Sequence, residues 1–347
     1  MQYDLKYQHH DIKDLDFFKQ HEVRKMPLQT LQDPPRKVDN AYALVRNDGS
    51  LATDTAVTGS YTLTNHLDLY RTHNQLIEKS NLPYQRVTVV DEVTPNGLKA
   101  RRSIQYLDTC RDLDAQELRG DPIYCRSDVV NSVNQTWAFQ MFSGAYRSYC
   151  ENSMVFGGDK VYYAKQKHSK HFDHTSVLST ANNALDDFEK NCNRFKEWKS
   201  TPIDDETAMR FLAETFCTYP QQEIEKRAAE LVGASVEDVK YNKKRLASML
   251  VLWDRYKEQL GPNKWSLYNV MTHYATHTHE TYTVMVDDKH GNAYETEHTT
   301  GRLTKQAPTC QQSANGLNYT LAEQHDRSRW IACITYNPNW HQVPKAA

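Results

Sequence analysis

Residues 86–107 constrain the fold more than any other stretch. Two β-rich runs, RVTVVDEV and LKARRSIQYL, flank Thr94-Pro95-Asn96-Gly97, and Asn-Gly supplies the positive-φ positions that a tight hairpin turn needs. Two strands joined by so short a link must pair antiparallel, so the spacing predicts paired strands at 86–93 and 99–107. Strand texture extends on both sides. Residues 41–64 alternate around the turn signals Asp48-Gly49 and Gly59-Ser60, and 123–168 hold three more β-rich runs separated by Asn-rich and Gly157-Gly158 breaks. Two helices interrupt this pattern. One follows His66 with Leu67, Tyr70, Leu76 and Ile77 at helical spacing, and the other, over 174–199, carries the stripe Leu185, Phe188, Cys192 and Phe195 that would lay it across the sheet.

After Pro202 the period changes to helical. Asp204-Asp205 caps a first helix bearing Met209, Leu212, Ala213 and Phe216, which Tyr219-Pro220 stops. A second runs from about Gln221 to Val232. A third starts at a Ser235/Asp238 capping box, carries Leu246, Met249, Leu250, Trp253, Tyr256 and Leu260, and ends at Gly261-Pro262. A fourth starts near Lys264 with Trp265, Tyr268, Met271 and Tyr274; a hairpin around His290-Gly291-Asn292 and a last apolar run, WIACITY, complete the chain. The expected fold is α+β: a polar N-terminal surface arm at 1–40, an antiparallel sheet domain at 41–200 with a helix packed across it, a helical segment at 203–278 and a β-rich return at 281–347, integrated into one unit.

Composition excludes several classes. Of 347 residues 39% are apolar and 25% charged, an ordinary globular balance. No apolar run reaches the roughly 18 residues of a membrane span, and MQYDLKYQHHDIKDLDFF has no secretory pattern, so a cytoplasmic protein is expected. The seven cysteines are scattered with no C-x-x-C pair, which argues for reduced thiols and against a thiolate zinc site. A net charge of −2 leaves nucleic-acid binding to a local patch.

The chain has no G-x-S-x-G elbow, P-loop, G-x-G-x-x-G or H-E-x-x-H motif. Two kinds of candidate site remain. The first interleaves cations with rings: Arg101 and Arg102 on the second hairpin strand, Tyr146 and Arg147, then Lys160, Tyr162, Tyr163, Lys165 and Lys167 in a run with no acidic residue. Cations beside aromatic faces hold a single strand of nucleic acid by its phosphates and stacked bases. The second is metal-like. His273 and His277 lie four apart, on one helical face, with Glu280 one turn later if the helix persists; His168, His171 and His174 form a looser group. No motif calls for a cofactor, and a divalent metal is the one group that the histidines leave open.

The segment Ala145 to Met154, AYRSYCENSM, resembles the arginine–cysteine–x–asparagine segment of the phage/plasmid-like proteins grouped as domain of unknown function 932. His174-Thr175 and, downstream, Trp265, Asn269, Thr272, Tyr274 and His277 resemble later segments of that family in the right order. His273 stands where the family has an acid, and Asn131-Ser132 lacks the histidine that follows it there. The resemblance spans roughly 55–280 and implies a mobile-element protein working in a bacterial cytoplasm; it brings no established activity. The order of hairpin, further strands and crossing helix is similar to the core of single-strand annealing proteins. The leading expectation is therefore a non-enzymatic binder of single-stranded nucleic acid, acting in annealing or protection. A metal-dependent hydrolase or nuclease using the histidines, and a virion or host-interaction protein without catalysis, stay open beside it, as does a homo-oligomer or a phage or host protein as partner.

Overall fold

The computed structural model describes residues 6–94, 96–113, 121–134, 136–147, 152–155, 163–166, 174–217, 242–277, 280–288, 290–299 and 340. The chain divides into two compact units, Met1–Cys192 with Pro308–Ala322, and Asn193–Ala307 with Glu323–Ala347. Antiparallel sheets combined with helices make the fold α+β.

In the first unit, strands β1 (Lys6–His9), β5 (Val87–Val93), β6 (Lys99–Asp112), β7 (Pro122–Ser132), β8 (Phe139–Arg147) and β10 (Tyr163–Gln166) pair in that order, and β9 (Asn152–Val155) also pairs with β8. A smaller sheet joins β2 (Val23–Gln29), β3 (Lys37–Arg46) and β4 (Val57–Thr58). The predicted hairpin is β5–β6, with Gly97 at φ +68 in the turn. Its register sets Asp91 opposite Arg102 and Glu92 opposite Arg101. Farther along, β6 bulges between Tyr106 and Arg111. Thr109 fills the gap in the ladder: its hydroxyl donates to the Tyr106 carbonyl at 2.6 Å and accepts the Cys125 N–H at 2.8 Å.

Helix α2 (His66–Glu78) buries Leu67, Leu69, Tyr70, Leu76 and Ile77, and the Tyr70 hydroxyl donates to the Val129 carbonyl on β7 at 3.4 Å. Helix α3 (His174–Lys199) buries Val177, Ala181, Ala184, Phe188, Cys192 and Phe195. The thiol of Cys125 on β7 reaches the Ala184 carbonyl at 3.8 Å, so the part of this helix within the first unit, up to Cys192, lies against the sheet.

Among the described residues of the 1–40 stretch, 6–23 are not a surface arm. Strand β1 hydrogen-bonds along β5, Ile12 is 2% exposed, and the short helix α1 (Asp16–Lys19) buries Phe17 and Phe18. The charges and prolines of this stretch masked four apolar anchors, Ile12, Leu15, Phe17 and Phe18, that burial rewards more strongly than the intervening charges oppose. Polar composition wins only in the exposed far half of the β2–β3 hairpin.

In the second unit, α4 (Asp205–Leu212) is capped by Asp204, which accepts the Thr207 N–H at 2.7 Å, and passes into a π-helical turn at Ala213–Cys217. The expected Gln221–Val232 helix lies outside the described residues. The next described helix, α5 (Lys243–Leu260), starts at Asn242 rather than at Ser235; the Asn242 side chain accepts the Arg245 N–H at 3.0 Å. Gly261, at φ +82, then reverses the chain, and Asn263 caps α6 (Lys264–Thr276). Every residue of α6 up to Ala275 is buried, and its buried polar side chains bond within the unit: Ser266 to the Gly261 carbonyl at 2.6 Å, Asn269 to the Trp265 carbonyl at 2.9 Å. Strands β11 (Thr281–Asp287) and β12 (Ala293–Thr299) form the predicted hairpin, with Tyr282, Val284 and Val286 buried. The run WIACITY lies outside the described residues.

Candidate metal centre

The last turn of α6 and the start of β11 bring three donors together. His273 is 4% exposed on α6, and His277 is the residue that ends the helix, its N–H donating to the His273 carbonyl at 2.8 Å. The helix does not persist to Glu280. Threonines with β-branched neighbours favour strand over helix after Thr276, yet the reversal that follows returns Glu280 to the same histidines. One ligand atom from each of His273, His277 and Glu280 lies within 4.8 Å of the others, and the two imidazole centroids are 4.2 Å apart.

Around these donors the packing is polar and ordered. Nδ1 of His273 lies 2.9 Å from the Tyr256 hydroxyl on α5, and Nε2 faces both the Glu280 carboxylate and the Tyr282 hydroxyl, the latter at 2.9 Å. The other Glu280 oxygen accepts from Arg255 at 3.1 Å, and the Arg255 guanidinium lies 5.8 Å from the Tyr282 ring centre. Burial first, and then the neighbouring His277, push His273 down to about 4 against the pull of Glu280, so the imidazole is neutral at pH 7. Burial alone would raise the Glu280 carboxyl, but the Tyr282 hydroxyl, His273 and Arg255 together hold it below the ordinary value. Two imidazole nitrogens and one carboxylate are a donor set suited to zinc-like divalent ions. Zinc donors stand about 2.0–2.2 Å from the metal, and donor atoms within 4.8 Å of one another lie within the span of one coordination sphere or close to it.

The cation-rich group fares differently. Arg102 and Asp91 pair at 3.4 Å with both side chains 0% exposed, and Arg102 also donates to the Ile12 carbonyl at 2.8 Å. Arg147 is buried in an ion pair with Asp121. Arg101 donates from Nε to Glu92 at 2.8 Å and is largely buried. These guanidiniums lock strands and are not arrayed for phosphate. Tyr146 is half-buried with the Arg126 guanidinium 5.4 Å from its ring centre. Tyr163 and Lys165 fall on β10, with side chains outside the described set, and Lys160, Tyr162 and Lys167 lie outside the described residues, as do His168 and His171. His174 begins α3, apart in sequence and in unit from His273.

Sequence reasoning missed the acids that occupy the arginines. The signal was present: Asp91-Glu92 and Arg101-Arg102 stand at mirrored distances from the Asn-Gly turn, which in a hairpin makes them cross-strand partners. It also missed Tyr256, Tyr282 and Arg255, which no local spacing connects to the histidines.

The family model described as a domain of unknown function (DUF932) matches residues 55–307, well over half of the chain and all of the metal-centre residues, and the chain belongs to this family. No curated protein and no solved structure matches it.

Proposed function

We propose that His273, His277 and Glu280 hold a divalent metal ion and that the protein is a metal-dependent hydrolase of phosphodiester or similar ester bonds. The return of Glu280 to the two histidines across the end of α6 carries this reading. Three ligands among the described residues leave a coordination position for water or substrate, the arrangement of catalytic rather than structural sites. A bound ion supplies Lewis-acid polarisation of an ester or phosphoryl oxygen and lowers the pKa of water beside it. The chain's own groups suit that chemistry. His273 is already neutral and Glu280 is held ionised, so neither group has to give up a net proton to the solvent to become a ligand. Arg255 anchors Glu280 through its second oxygen, and burial raises the Tyr282 phenol above its ordinary range, so its hydroxyl keeps its proton beside Nε2 of His273.

A non-catalytic single-strand binder is less well supported, because Arg101, Arg102 and Arg147 are engaged in ion pairs.

The test is metal analysis of protein purified without a histidine tag, together with hydrolysis of bis(p-nitrophenyl) phosphate. One equivalent of zinc, manganese or a similar ion in the wild type, lost with the hydrolysis in His277→Ala and Glu280→Gln, is the expected outcome. A wild-type protein with no ion above background, even after incubation with zinc, overturns the proposal.

A further inference from the structure

We propose that Tyr256 is the positioning residue of the metal centre, its hydroxyl reversing from donor to acceptor as His273 changes tautomer on taking the ion. The inference rests on the metal reading above. An ionised carboxylate can only accept hydrogen bonds. Because Glu280 faces Nε2 of His273, the neutral ring without an ion carries its proton on Nε2. Nδ1 is then the acceptor, and the Tyr256 hydroxyl, 2.9 Å away, donates to it.

An ion can use only a nitrogen lone pair. For His273 to become a ligand through Nε2, the nitrogen that Glu280 and Tyr282 face, that nitrogen gives up its proton and Nδ1 acquires one. The ring stays neutral and the proton count on it is unchanged. Nδ1–H now needs an acceptor, and among side-chain groups a hydroxyl serves both states without moving, since it carries one donor and two lone pairs. A carboxylate or a backbone carbonyl in that place would serve only the ion-bound state. Tyr256 is buried at 1% exposure on α5, so no solvent substitutes for it. The same helix supplies Arg255, so α5 orients both His273 and Glu280.

The experiment uses the full-length protein and zinc alone. Long-range proton–nitrogen correlation of the histidine rings, with His273 assigned by its loss in His273→Gln, reads the tautomer before and after one equivalent of zinc. The expected result is Nε2–H in the ion-free protein and Nδ1–H in the zinc form. Nδ1–H already present without zinc overturns the inference. Zinc titration of Tyr256→Phe should show affinity weakened about 10- to 100-fold, the usual cost of losing a group that orients a metal ligand. Tyr106→Phe, which removes a buried hydroxyl bonded to Ser127 in the other unit, should bind zinc as the wild type does. Wild-type binding with Tyr256→Phe within twofold of it overturns the positioning role and leaves the metal reading standing. A wild type that takes up no zinc overturns both. Should Tyr256→Phe fail to fold, the tautomer measurement on the wild type decides.

Discussion

Replacing Arg102 with methionine tests whether the hairpin arginines are structural. Arg102 and Asp91 are both 0% exposed, and burial keeps the Asp91 carboxyl above its ordinary value despite His9 and Arg102. Methionine fills much of the same volume without a charge. It leaves Asp91 its hydrogen bond to His9 at 3.0 Å, and strips donors from the carbonyls of Ile12 and Asp14. Breaking one side of a buried pair costs about 3–5 kcal/mol, which at 1.4 kcal/mol per tenfold is a loss of protection of about 10² to a few thousand-fold. Hydrogen exchange of peptides spanning 6–15, 87–93 and 99–112 measures this opening directly, strand by strand. The double variant Arg102→Met/Asp91→Leu removes both charges and should recover most of the loss, because a buried pair replaced by apolar residues is close to neutral. If Arg102→Met alone loses under about 1 kcal/mol, the value of an exposed pair, then the guanidinium is not committed to Asp91, and its use on phosphate returns.

His73, fully buried, is pushed down to about 3 by burial first and then by Arg102, against the smaller opposing effect of Asn74. The unfolded chain therefore binds the extra proton first, and stability present above pH 6.5 falls between about pH 6.5 and 3, by up to roughly 5 kcal/mol; urea melts of His73→Leu should be flatter across that window, and an equal slope would count against a neutral buried ring. Gly97→Ala should cost about 1–2 kcal/mol, since the position needs positive φ while its Cβ would meet His21 only at 3.5 Å; a urea midpoint equal to that of the wild type would mean that the turn relaxes freely. Arg101→Gln should leave the salt dependence of any oligonucleotide binding within half of the ~0.7 log unit that one lost phosphate contact removes; a full-sized change in slope would place Arg101 on nucleic acid.

Local sequence determined much of this molecule. Asn96-Gly97 and Gly291 with Asn292 specify two hairpins because positive φ is a property of single residues, and the stripe of Phe188, Cys192 and Phe195 and the Asp204 cap specify their helices because periods and caps act within a turn or two. The same range covers His273 and His277, whose shared face follows from a separation of four. Only tertiary structure decided the rest. Ile12, Phe17 and Phe18 turn a charged N-terminal stretch into a sheet edge and its helix because burial sums over partners distant in sequence. Arg102 meets Asp91 through strand register, and Arg147 meets Asp121 across twenty-six positions, which separates structural cations from surface ones that composition counts alike. Glu280 becomes a neighbour of His273 because the chain leaves its helix and doubles back. Tyr256, seventeen residues before His273, reaches it because Gly261 folds two helices side by side. Local preferences act over a few residues, whereas a site is assembled by burial, which brings together residues that the sequence holds apart.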